Sequence, residues 1–198
     1  SVDLPAPLAP MMPIFAPAYG LILNGDEFAA LRERHTAMTA EGKLSPFVAA
    51  AEAAGRTPPE NLIHDFVNLW GDTRYNRERD HDKFILNHGL NAAIAGHLLR
   101  DKRLLRLAAR YALSIAMCKH WDDGFICCFP GGLFEHRSFV QSLCAYEVAG
   151  ILDLAGECFT DIGREFLLRR LAEEAIGAIQ FNTWKYDYIF DCNQLAWF

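Results

Sequence analysis

The sequence predicts an all-α protein built of stacked antiparallel helical hairpins. Apolar residues recur at helical spacing in successive segments, no stretch alternates with a period of two, and the segments pair across short polar joints. The pairs recur every 40 residues or so, roughly the spacing of helical repeat units, although the sequence itself does not repeat. A two-helix hairpin buries its apolar stripe only against a neighbour, so the hairpins must stack, as an open solenoid or as a closed ring.

In chain order, residues 1–23 are Pro-rich and apolar and read as an extended arm; residues 24–198 form the helical domain. Asn24-Gly25-Asp26 precedes a first helix in which Phe28, Leu31 and His35 share one side. Ser45-Pro46 supplies an N-cap and a first-turn proline, and Gly55 closes that Ala-rich helix. Thr57 and Glu60 have the spacing of a capping box ahead of Leu62, Ile63, Phe66, Val67, Leu69 and Trp70. The polar run 71–82 is a loop. Helices over 83–99 and 102–120, joined by Arg100-Asp101, make a hairpin. After Trp121 comes an apolar, Gly- and Pro-containing loop over 125–133, then a helix over 135–155 broken by Gly156. A last helix, capped by Thr160-Asp161, runs to about residue 181.

The 198 residues are 52% hydrophobic and 22% charged, enough for one substantial core. A formal net charge of −6, with basic and acidic residues interleaved, argues against nucleic acid as a partner. No apolar run reaches the roughly 18 residues that would suggest a membrane span. The opening run Leu4-Pro5-Ala6-Pro7-Leu8 lacks the charged start of a signal peptide. The six cysteines, Cys118, Cys127, Cys128, Cys144, Cys158 and Cys192, fit no zinc-ligand spacing and read as free thiols, which leans toward a reducing compartment. No metal or cofactor is called for.

The segment 184–198 alternates aromatic rings with acids and amides: Trp184, Tyr186, Asp187, Tyr188, Asp191, Asn193, Gln194 and Trp197. Flat apolar faces beside hydrogen-bonding groups suit a sugar ring, and the segment reads as a binding wall whose remainder lies beyond Phe198. Glu135-His136-Arg137, with Gln141 further along, opens an otherwise apolar helix. A helix N-terminus flanked by His and Arg suits a carboxylate or sulfate; a solvated first turn with an internal Glu–Arg pair is the plainer reading. Asn87, His88 and Asn91 could line the interior of a helical ring or could be core polar groups. Asp122 and Asp187, at hairpin ends, could act as paired acids or simply as caps. Tyr186 and Tyr188 offer phenols for proton exchange, or ordinary aromatic packing.

The order of residues 26–34, the hairpin ending at Trp121, Phe134-Glu135-His136-Arg137-Ser138-Phe139, a further hairpin, Trp184 and Cys192-Asn193-Gln194 resembles the helical domain of heparinase II/III-like polysaccharide lyases. The resemblance implies the N-terminal part of an incomplete (α/α) toroid, with the rest of the protein missing. It implies a lyase cleaving a uronate-containing acidic polysaccharide or oligosaccharide by β-elimination without a cofactor. Loss of a proton beside a carboxylate requires that the developing charge be held by preplaced donors. The resemblance places Asn193 and Gln194 in that role, with Gln194 where many members carry His, and adds His136 as a catalytic candidate. Glu135, Arg137, Gln141, Trp121, Trp184, Tyr188 and Trp197 are candidate substrate-binding residues. The proton-abstracting Tyr of the family falls beyond Phe198, and a periplasmic or secreted location is compatible with it. The rest of the polypeptide or a second copy is the expected protein partner. Two alternatives remain open: a toroid glycoside hydrolase using acids such as Asp122 and Asp187, and a non-catalytic module that binds an acidic glycan.

Overall fold

The computed structural model describes residues 20–56, 58–63, 88–119, 121 and 139–177. The protein is all-α, with no strand among the described residues. The first helix, α1 (Gly25–Ala40), starts at Asn24, whose side chain accepts the Asp26 and Glu27 amides at 3.0 Å while the Glu27 carboxylate accepts the Asn24 amide at 2.8 Å. This reciprocal pair satisfies donors that a helix start leaves open. Phe28 is the residue of α1 that is fully buried. Ser45 and Pro46 open α2 (Pro46–Ala54) as the sequence suggested, but the Ser45 hydroxyl makes no capping bond. Residues 61–63 form a helical turn after Pro58 and Pro59. Of the expected capping box, Thr57 lies outside the described residues, and Glu60 instead grips Arg110 through two bonds of 2.7 Å. That pairing holds the Glu60 carboxyl below its usual range.

The central hairpin is α3 (His88–Leu99) and α4 (Lys102–Met117). Its joint has the expected two residues: Arg100 takes a left-handed conformation, and Asp101 caps α4 by accepting the Arg103 amide at 2.8 Å. Every residue of α3 from Ala92 to Leu98 is buried. Two glycines let its neighbours approach closely: an added Cβ would stand 2.6 Å from Tyr111 Cβ at Gly89 and 2.7 Å from Leu105 Cδ2 at Gly96. Gly89 thus faces Tyr111 and Gly96 faces Leu105, an antiparallel register.

The next helix is α5 (Phe139–Ala155). Its Gly150 meets Leu90, its Ile151 meets Gly89, and the carbonyl of Leu154 lies 2.6 Å from His97 Nε2, so α5 runs parallel to α3. A 3-10 turn (Gly156–Cys158) leads to α6 (Asp161–Arg170), with Thr160 accepting the Gly163 amide at 3.1 Å. At the head of α6, Cys158 lies in the field of Lys102 and Arg106. At its tail, Arg170 bonds the carbonyls that end α4. Accordingly α6 runs parallel to α4, and the helices alternate in direction through two stacked hairpins.

Two helix ends differ from the sequence expectation. The helix expected to reach residue 120 ends at Met117, because Cys118 turns extended and the closing carbonyls bond Arg170. The last helix stops being α-helical at Arg170 and continues as a π-helical turn (Leu171–Gly177). The wider turn is compatible with Glu173 and Glu174 both reaching Arg170, at 3.6 and 3.0 Å. The start of the arm and the segments 64–87, 122–138 and 178–198 lie outside the described residues. The described end of the arm is tied down: the amides of Gly20 and Leu21 donate to the buried Asp153 at 3.1 and 2.8 Å, and Ile22 packs against Gly150.

Candidate functional site

Alternation gives the bundle two unlike ends. At one, α3 passes to α4 through Arg100 and Asp101, and α5 passes to α6 within residues 156–160. At the other, α3 and α5 begin while α4 and the π-helical turn end. Trp121, Phe139 and Gly177, which border the segments outside the described residues, belong to this second end. Short turns cannot carry a site of several side chains; long connections on a rigid scaffold can.

The scaffold at this end is built from buried polar groups. Glu147 is fully buried in the middle of α5, and its Oε1 accepts the amides of Gly89 at 2.7 Å and Leu90 at 3.3 Å. A carboxylate suits that place because it meets the open donors of the first turn of α3. Tyr111 packs beside it and donates its hydroxyl to the Ala54 carbonyl at 2.9 Å. Burial first, and the Glu147 charge second, push the Tyr111 phenol well above its ordinary value, which makes it a packing and hydrogen-bonding group at neutral pH. His88 stands edge-on to Tyr111, with ring centroids 6.1 Å apart; burial lowers its pKa, and its Nδ1 has no hydrogen-bond partner.

Closer to the tip, Trp121 and Arg170 hold the end of α4. Trp121 is fully buried, its indole N–H donates to the Ile115 carbonyl at 2.8 Å, and the Arg170 guanidinium lies 5.9 Å from its ring centroid. Arg170 donates to the carbonyls of Ala116, Cys118 and Lys119 and pairs with Glu174. The result is a neutralised helix terminus.

Of the residues singled out by sequence as site candidates, four are described: His88 and Asn91 on α3, Trp121, and Gln141. Trp121 departs from its expected role: with no exposed face it packs as a core residue and offers no platform to a sugar. Gln141 is buried in the first turn of α5. Asn193, Gln194, His136, Glu135, Arg137, Trp184, Tyr188 and Trp197 lie outside the described residues, as do Asp122 and Asp187. Sequence reasoning missed Glu147 and Arg170, each an ordinary charged residue within a helix whose partners stand more than fifty positions away.

Among the described residues, no three His, Cys, Asp or Glu side chains converge as metal ligands, and no helix is long and apolar enough to cross a membrane. Cys118, Cys144 and Cys158 are free thiols; the first two are buried. Comparison of the chain with protein-family models, with curated proteins and with solved structures finds no match in any of the three.

Proposed function

We propose that the chain is the helical part of a lyase that cleaves a uronate-containing polysaccharide or oligosaccharide by β-elimination, within an (α/α) toroid. The observation that carries this reading is the one-ended construction: two hairpins, alternating in direction, bring the end of α4, the start of α5 and the end of the π-helical turn to the same end of the bundle. Parallel α3 and α5, alternating with parallel α4 and α6, is the stacking of helix pairs that such a domain requires and that open solenoids share.

In this reading the amides of Asn193 and Gln194, with His136, hold the uronate carboxylate as charge develops on it, and Arg137 adds a cation beside them. Trp184, Tyr188 and Trp197 give the sugar rings apolar faces. The neutralised carboxylate makes the adjacent C–H acidic enough for a base to remove, and the glycosidic oxygen leaves with a proton.

The test is product analysis with a polypeptide extended beyond Phe198, on uronate polymers of several compositions. An unsaturated uronate, detected by its ultraviolet absorption and lost in Asn193→Ala and His136→Ala, supports the lyase. New reducing ends without unsaturation would instead mark a hydrolase, and saturable binding without turnover a glycan-binding module.

A further inference from the structure

Core packing does not account for an open cleft of about 470 Å3 between the end of α4 and the flank of α6, lined in part by Met117, Lys119, Phe166, Arg169, Arg170 and Glu173, the last a carboxylate that pairs with Arg170 at 3.6 Å. The three cations in it are not equivalent. Arg170 is committed to backbone carbonyls and to Glu173 and Glu174. By covering the last carbonyls of α4 it also removes the partial negative charge that would repel an anion there. Arg169 lies over the Phe166 ring, 5.8 Å from its centroid. Stacking occupies the face of a guanidinium and leaves its N–H edge open to a planar anion. Among the described residues, no ion pair joins Arg169 or Lys119 to a carboxylate.

In a chain of net charge −6, two uncommitted cations on one cleft make a local positive spot. Beside them Met117 is 58% exposed and offers apolar contact. The geometry points to this cleft as an anion-binding subsite, in which Arg169 and Lys119 hold a carboxylate or sulfate and Met117 packs against the group that carries it. As a subsite for an acidic sugar it rests on the proposed function; as a site for an anionic group it does not.

Inorganic sulfate and a uronate tetrasaccharide, titrated separately into the 198-residue chain, discriminate the cases, with the Arg169 side-chain N–H resonance and calorimetry as readouts. Both probes are expected to shift that resonance. The double variant Lys119→Gln/Arg169→Gln should weaken both about tenfold, the scale of one charge-assisted hydrogen bond, at an unchanged melting temperature. Arg103→Gln, an exposed cation at the opposite end, should change neither. A response to sulfate with none to the tetrasaccharide upholds the anion site and counts against the glycan reading. Tetrasaccharide binding that the double variant leaves intact overturns the subsite and spares that reading. Silence toward both probes, or equal weakening by Arg103→Gln, overturns it as well.

Discussion

The Glu147 carboxylate accepts the Gly89 amide at 2.7 Å, joining the middle of one helix to the first turn of another 58 positions earlier. Both residues are buried, so the bond is formed where a lost partner is not replaced by water. Glu147→Ala is expected to lower the unfolding free energy by on the order of 3 kcal/mol, because two helix-start donors lose their acceptor. Gly89→Ala should cost about 2 kcal/mol by a different route, since its Cβ would press on Tyr111 Cβ, which a side-chain rotation does not move away. Chemical denaturation of each variant measures both; native stability in either would show that this contact does not set the helix spacing.

Arg170 is 13% exposed and serves three carbonyls and two carboxylates, those of Glu173 and Glu174, at once. Arg170→Lys should lose nearly as much stability as Arg170→Ala, about 2–3 kcal/mol, because an ammonium cannot span that fork of acceptors. Trp121 fluorescence reports the same site, and both variants should shift its emission toward that of a hydrated indole. Rescue by lysine would reduce Arg170 to a simple charge.

His88 gives the fold a pH dependence of defined sign. Burial keeps its folded-state pKa below the ordinary 6.5, so the unfolded chain binds the proton more readily. Its contribution to stability is complete above pH 6.5 and is lost as pH falls from there through the folded-state value. Comparing melting temperatures of the wild type and His88→Phe between pH 7.5 and 5, about one unit above the ordinary value and somewhat more below it, isolates this contribution. The variant should show a shallower acid-side decline.

The thiols should react in a fixed order. Burial pushes Cys118 up to about 12, and Cys144 is also enclosed, whereas Cys158 is exposed with a thiol raised chiefly by its partial burial. A maleimide added to the native chain is expected to modify Cys158 well before Cys118 or Cys144, with mass mapping as the check; early labelling of Cys118 would mean that the end of α4 opens readily.

Helix existence is legible in the sequence because its signals are local. Asn24, the Arg100-Asp101 joint and Thr160 act on neighbours within a turn, and each stands where the sequence put it. Trp121 misleads because an aromatic residue beside acids has the same local pattern whether it faces a ligand or a core. Glu147 and Arg170 leave no sequence mark, since a capping partner fifty positions distant has no spacing rule. The early end of α4 comes from that same contact: Arg170 finishes the helix, and nothing within the helix itself announces it.

The glycine contacts Gly89 on Tyr111 and Gly96 on Leu105 are completed within α3 and α4, before the chain reaches the end from which its longer connections leave. Those two contacts set how near the axes of α3 and α4 can come, so a single methyl group at either glycine would wedge the pair apart.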